Sequence, residues 1–164
     1  MQTTRLELLQ GMPVFGGIRE KTLEFLLELA SITDIAANDY FFREGDKGSS
    51  MFVLEQGKVA ILKNWDDQEH ALKYLGRGDC FGEMALIDLY PRSASVRAVE
   101  DCTAIELTNT ILLELYRENL EQFTMVQMNI GREISRRLRK ADNRLFHAHV
   151  EEKHLSVDDL FELF

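Results

Sequence analysis

The hydrophobic period of this chain changes twice, and that change alone narrows its fold. Residues 18–30, "IREKTLEFLLELA", carry Leu23, Leu26, Leu27 and Ala30 at i, i+3, i+4 and i+7, the stripe of an amphipathic helix. From Ile32 to Leu107 the chain instead breaks into short β-like runs: "ITDIAA", "YFF", "MFVLE", "VAILKN", "ALKYL", "CF", "ASVRAV" and "TAIEL". Turn signals separate them, at Asn38-Asp39, Glu44-Gly45-Asp46, Gln56-Gly57, Asp66-Asp67, Gly76 and Gly78-Asp79. Short strands with frequent glycine turns specify a mainly β domain, an antiparallel barrel or jelly-roll pair of sheets. Gly57, between two strands, predicts a hairpin whose turn needs a positive φ.

From Asn109 the period is helical again. "TNTILLELYREN" predicts a short helix capped by Thr108 or Asn109, and a longer helix follows from about Leu120 to Val150. In its second half Ile134, Leu138, Ala141, Leu145 and Ala148 are spaced 4, 3, 4, 3. That heptad-like seam suits a partner helix, the alternative being packing back on the β domain. In the tail "SVDDLFELF", Ser156 and Asp159 form a variant capping box, and Val157, Leu160, Phe161 and Phe164 share one apolar face. Such a face docks on its own domain or on another protein. The expected organisation is a β domain with N-terminal helices over 1–108, C-terminal helices over 109–150, and an acidic amphipathic tail over 151–164.

A chain of 164 residues, 45% hydrophobic, can build one real core. Its net charge of −9 argues against DNA as a main partner, because phosphate backbones need basic stripes. The basic run "SRRLRK" (135–140) alternates with apolar residues at helical spacing, as a solvated helix face does. Cys80 and Cys102 give no disulfide framework, so a reduced compartment is expected and both thiols are expected in the core. "MQTTRLELLQ" lacks a signal-peptide layout, and no apolar run approaches the ~20 residues that span a bilayer. A cytoplasmic location without a membrane partner is the resulting expectation.

The chemistry concentrates in residues 81–96, "FGEMALIDLYPRSASV". A strand ends at Phe81, Gly82 turns, and "EMALIDL" starts a helix of one to two turns. Helix N-termini leave N–H groups unpaired and attract phosphates, and Gly82 lets an anion approach the backbone without meeting a Cβ. Leu89-Tyr90-Pro91 ends that helix. Arg92 then stands at the entrance of the next strand, where its guanidinium can fold back and fork onto two phosphate oxygens; Ser93 adds a hydroxyl donor. Glu83 would repel a phosphate by roughly 3 kcal/mol at about 5 Å and an effective dielectric of ~20. Arg92 and the helix amides can offset that, and the repulsion shrinks further if Glu83 points past the phosphate to a sugar hydroxyl and accepts its hydrogen bond. An Arg and a Glu that together hold a phosphate and a hydroxyl describe a cyclic ribose phosphate.

These residues resemble the phosphate-binding cassette of cyclic-nucleotide-binding domains, in the catabolite-activator-like form of that family. Gly82-Glu83, Pro91-Arg92-Ser93-Ala94 and Val96 stand in order at the family's spacing, while "REGDKGSSMFVLEQGKVAILK" (43–63) resembles its first hairpins and "LGRGDCFGE" its approach to the cassette. The match extends over roughly residues 12–145. The resemblance implies a β-roll with a long C-terminal helix as lid. It implies that Arg92 binds the equatorial phosphate oxygens and Glu83 the ribose 2′-hydroxyl. Gly82 with the amides near Met84 and Ala85 would complete the cradle, beside Ser93 and Ala94. Ser93 leaves both cAMP and cGMP open, with cAMP preferred. On the long helix Arg139, Asp142 and Asn143 are candidates to reach the base edge, the alternative being that they are solvated; Arg137 can contact the base or pair with Glu83.

Only 19 residues follow Leu145, too few for the DNA-binding domain of the family's transcription factors. A sensor without an attached effector is therefore expected, signalling to an unknown effector protein and dimerising through helix 120–150. The alternative is a dimeric scaffold that keeps the fold without ligand. Other chemistries find no support. "GRGDCFG" lacks the G-x-G-x-x-G spacing and a βαβ setting. His70, His147, His149 and His154 do not pair as metal ligands, so neither a metal nor a cofactor is expected beyond the nucleotide ligand. No serine or cysteine has an evident base, so the chain is not expected to be an enzyme.

Overall fold

A computed structural model describes residues 2–153. The expected tail helix over 156–164 lies outside the described residues. The chain divides after Ile130 into two compact units.

The first unit opens with helix α1 (Gln2–Gln10), a 3-10 turn at Pro13–Phe15 and helix α2 (Glu20–Leu29). Eight strands follow: β1 (Ser31–Ile35), β2 (Tyr40–Phe42), β3 (Ser50–Gln56), β4 (Val59–Trp65), β5 (Gln68–Leu75), β6 (Cys80–Phe81), β7 (Ser95–Ala98) and β8 (Cys102–Thr108). A one-turn helix α3 (Met84–Ile87) separates β6 from β7. Every β-like run in the sequence is a strand, because each lies between residues that turn the chain. Gly57 has φ +94, and a Cβ there would sit 2.5 Å from the Asp101 carbonyl oxygen, so glycine is required twice over. Asp66 and Asp67 both take positive φ, as a two-residue hairpin turn between β4 and β5 demands.

The strands pair antiparallel in two sheets, β1-β8-β3-β6 and β2-β7-β4-β5. Between them Phe52, Leu54, Val59, Ile61, Phe81, Val96, Ala98 and Ala104 form the core. Phe52 stacks on Phe81 at 5.4 Å, and Phe41 meets both rings edge-on at 5.3 and 5.0 Å. This is the mainly β, two-sheet antiparallel roll with an N-terminal helix and a long C-terminal helix that the period changes specify. Both cysteines are buried and neither is in a disulfide, and burial pushes the Cys102 thiol pKa up.

Helix α1 has no clear helical stripe in its sequence; Leu9 is buried, and Arg5 joins Glu55 of β3 at 2.9 Å. Helix α4 (Asn109–Glu118) is capped by Thr108, whose hydroxyl oxygen accepts from the Ile111 N–H. Asn119 plays the same part for helix α5 (Leu120–Lys153), accepting from the Gln122 N–H. The first turns of α5 belong to the first unit. Val126 and Ile130 are buried there, Gln122 accepts from the Arg19 N–H at 2.7 Å, and Asn129 donates to the Gly16 carbonyl at 2.8 Å. The second unit begins at Gly131 within α5. Glu133 there joins both Arg136 and Arg137 at i+3 and i+4. Leu138, Leu145 and Phe146 are 60%, 70% and 54% exposed.

Candidate functional site

Everything at the site turns on how Arg92 is held. Its backbone is pinned on both sides by the loop between β2 and β3: the Arg92 N–H donates to the Asp46 carbonyl (2.8 Å), and its carbonyl accepts from the Gly45 N–H (2.9 Å). The side chain then runs inward and is 7% exposed. Nη1 donates to the carbonyls of Ser50 (2.7 Å) and Gly82 (3.0 Å), and Nη2 to the Ser50 hydroxyl (3.3 Å). The guanidinium carbon lies 4.0 Å from the centre of the Phe42 ring, a cation–π contact. Nε is buried without a hydrogen-bond partner.

Burial lowers the pKa of this guanidinium, because the charged form loses water; the carboxylates of Glu106, Asp46 and Glu83 pull it back up. An arginine remains charged under such a shift. The structure thus holds a buried cation with a donor unspent, at the cassette turn.

Gly82 makes that turn with φ +81. A Cβ at 82 would sit 2.7 Å from Arg92 Nη1, 3.1 Å from the Ser50 carbonyl oxygen and 3.3 Å from the Phe42 ring. Glu83 follows in the cap position of α3, 3% exposed. Ala85 is buried and Met84 exposed. Helix α3 spans one turn, at the short end of the one to two expected. It ends through Leu89, whose φ is +57, and Pro91. Ser93 is exposed, with its hydroxyl 3.8 Å from the Met84 sulfur, and Ala94 packs half-buried on the core.

A second ring of contacts fixes the cassette strand. Lys63 of β4 donates to the Ser93 carbonyl at 2.8 Å and pairs with Glu44. Glu44 also accepts from the Asn64 N–H (3.2 Å), and its own N–H donates to the Ser95 hydroxyl (2.9 Å). The Lys63 bond, and after it the Asn64 bond, lower the Glu44 pKa.

The first unit by itself therefore gathers Gly82, Glu83, Met84, Ala85, Arg92, Ser93 and Ala94 into one short stretch. The four helix candidates lie on α5 in the second unit. Arg137 donates to Glu133 one turn back (3.2 Å), and Arg139, Asp142 and Asn143 are exposed on one face at i, i+3 and i+4. Sequence reasoning missed Phe42, Gly48, Ser50 and Lys63. Gly48 touches the site closely: a Cβ there would lie 2.7 Å from the Ala85 Cβ and 2.8 Å from Arg92 Nε. Only its place in the glycine-punctuated segment 43–63 could have flagged it. Among the described residues no three His, Cys, Asp or Glu side chains converge as a metal site, and no helix is long and apolar enough to cross a membrane.

Residues 32–119, more than half of the chain, match the family model of the cyclic nucleotide-binding domain. The chain belongs to this family. The cyclic nucleotide-binding domain so identified includes the whole cassette and every residue that holds Arg92. The chain is 33% identical over 142 residues to the cyclic AMP receptor protein of Thermus thermophilus, covering 84% of this chain and 62% of that protein. The crystal structure of the catabolite activator protein of the same organism superimposes with a TM-score of 0.75 at 33% identity, over 85% of this chain and 64% of that one. A cGMP-dependent protein kinase of Plasmodium berghei is 36% identical over 89 residues, 54% of this chain and 10% of the kinase. The chain spans about three fifths of the length of the receptor-type relatives it matches.

Proposed function

We propose that this cyclic nucleotide-binding domain is a non-enzymatic cytoplasmic sensor that takes up cAMP, with cGMP the second ligand, and signals through its C-terminal helix. The observation that carries the reading is Arg92: a buried cation, stacked on Phe42, anchored at the Gly82 turn, with Nε unspent. A cyclic phosphate at the turn supplies the missing acceptor. Glu83 accepts from the ribose 2′-hydroxyl, and Gly82, Met84, Ala85, Ser93 and Ala94 frame the sugar phosphate. Arg139, Asp142 and Asn143, with Arg137, supply polar groups for the base. The name of the bacterial relative favours cAMP, and that of the kinase keeps cGMP in view.

Ligand would draw the cassette and the helix together, a population shift driven by contacts made only in the closed state. The seam from Ile134 to Ala148 is proposed as a homodimer contact whose exposure changes with that shift, with residues 151–164 or the seam addressing an effector protein. Titration calorimetry with cAMP and cGMP tests the reading; absence of heat and of thermal stabilisation with both at millimolar concentration overturns it.

One observation favours a second reading, a scaffold without ligand. Arg92 Nη1 is already satisfied by two main-chain carbonyls, so the cation has a structural duty here without any anion. Melting curves separate the two, since a specific ligand at 100 times its Kd adds about 2.7 kcal/mol to stability.

A further inference from the structure

The single turn of α3 buries Ala85 and Leu86 and leaves Met84 43% exposed at its start. The Met84 thioether does not stand alone there: its sulfur accepts from the Ser93 hydroxyl at 3.8 Å, across the cassette. We propose that Met84 is an oxidative modification site, at which a hydroperoxide forms the sulfoxide and thereby lowers affinity for the cyclic nucleotide. This rests on the cyclic-nucleotide reading above, in which Ser93 stands beside the sugar phosphate and offers it a hydroxyl donor.

A thioether sulfur is a weak acceptor, so the Ser93 hydroxyl leaves it readily for a phosphate oxygen. Oxidation changes that balance. A sulfur lone pair attacks one oxygen of hydrogen peroxide, the O–O bond breaks, and hydroxide leaves. The proton on the transferred oxygen passes to that hydroxide, so the sulfur gives up two electrons and the products are sulfoxide and water. The side chain now carries a polar oxygen within reach of Ser93. That oxygen competes with the phosphate for the same hydroxyl.

Other targets for the oxidant are shielded. Met12, Met51, Cys80 and Cys102 are buried, and Met125 is half-buried. Thiol oxidation runs through the thiolate, and burial raises the Cys102 pKa away from that form. Met128 on α5 is 50% exposed and lies outside the cassette, which makes it the matched control.

The test is calorimetry with cAMP and cGMP on the full chain before and after hydrogen peroxide, with peptide mass spectrometry to locate the added oxygen. Each protein is compared with its own reduced form, so that the effect of a substitution on binding itself cancels. In wild type, sulfoxide at Met84 should weaken binding by about three- to tenfold, the worth of one hydrogen bond, and methionine sulfoxide reductases should restore it. Met128→Leu should keep that loss, whereas Met84→Leu and Ser93→Ala should each lose less than about twofold. Met84→Ile replaces Met84→Leu if the latter does not melt cooperatively. Undiminished binding with the Met84 sulfoxide in place overturns the proposal. So does an equal loss in Met84→Leu, or a Met84 left unoxidised by a peroxide dose that oxidises Met128. An equal loss in Ser93→Ala overturns the competition for its hydroxyl. In all of these, binding by the reduced protein leaves the cyclic-nucleotide reading standing. Failure of reduced wild type to bind either nucleotide overturns both.

Discussion

The guanidinium of Arg92 lies 4.0 Å over the ring of Phe42, fifty residues earlier in the chain. This stack explains how a charge can be only 7% exposed without an ion pair at hydrogen-bond distance. The ring face and the two carbonyls replace part of its hydration, and three carboxylates balance the rest at longer range. The cation is thus held in position by the chain's own groups.

Arg92→Ala removes a charge-assisted contact and should weaken cyclic-nucleotide binding by about 2–4 kcal/mol, roughly 30- to 1000-fold. Arg92→Lys should recover little, since an ammonium cannot fork onto two oxygens or lie flat on Phe42. Phe42→Leu keeps the charge but loses the ring, and should cost about 0.5–2 kcal/mol of affinity. Calorimetry on the three variants orders them, and full binding by Arg92→Lys would show that the fork is not used.

At Gly82 two effects add. The backbone has φ +81, which disfavours any Cβ, and that Cβ would press on Arg92 and on the Ser50 carbonyl at 2.7 and 3.1 Å. Gly82→Ala should therefore lower stability by about 1–3 kcal/mol and displace the guanidinium. Gly17→Ala is the internal control: its φ is +75, but nothing lies within 4 Å of the new atom. It should show the strain alone, about 1 kcal/mol, with binding unchanged. Urea melts give both numbers, and equal effects at 82 and 17 would remove the steric part.

The Glu44–Lys63 clamp should be sensitive to acid. Lys63 and the Asn64 N–H lower the Glu44 pKa below its ordinary 4.5 in the folded state. A depressed folded value means that the clamp stabilises the fold above the unfolded pKa and is lost as pH falls through the lower folded one. Wild type should then lose stability between pH 5 and the folded pKa more steeply than Glu44→Gln, since the glutamine carries no proton to gain. Melts from pH 7 to about pH 3 compare the slopes; parallel curves would show that the pair is solvated away. Lys63→Met should also loosen Ser93, whose carbonyl it holds at 2.8 Å, and weaken ligand binding while leaving Arg92 in place.

The eight strands and most of their turns are legible in the sequence because alternation and glycine placement are local signals. The cassette is legible for the same reason: Gly82, Glu83 and Arg92 lie within eleven consecutive residues. What secures the cassette is not local. Ser50 meets Arg92 across 42 positions, Phe42 across 50, and Lys63 reaches Ser93 across 30. Those contacts follow from register between strands that are distant in the chain, and periodicity fixes the facing side of a residue without fixing its partner. Helix α1 escaped for another reason. Its apolar residues form no helical stripe, and Leu9 is buried only because the rest of the unit supplies a surface to cover it.

The seam of α5 gives the last prediction. Leu138 and Leu145 stand seven residues apart, two turns along one helix face, and are 60% and 70% exposed. Burying a leucine stabilises by about 1.5–3 kcal/mol, and in a two-fold pair each position is buried twice. If this seam holds a homodimer, Leu138→Glu with Leu145→Glu removes that burial and sets like charges against each other across the axis. The dissociation constant should then rise by at least about a hundredfold, read by light scattering over a dilution series. Because both substitutions fall beyond Ile130, the β-roll should melt as before and the contacts that hold Arg92 should stay intact. A variant that remains dimeric would move the contact to another surface. A wild type already monomeric at high concentration would rule out the seam as a homodimer contact.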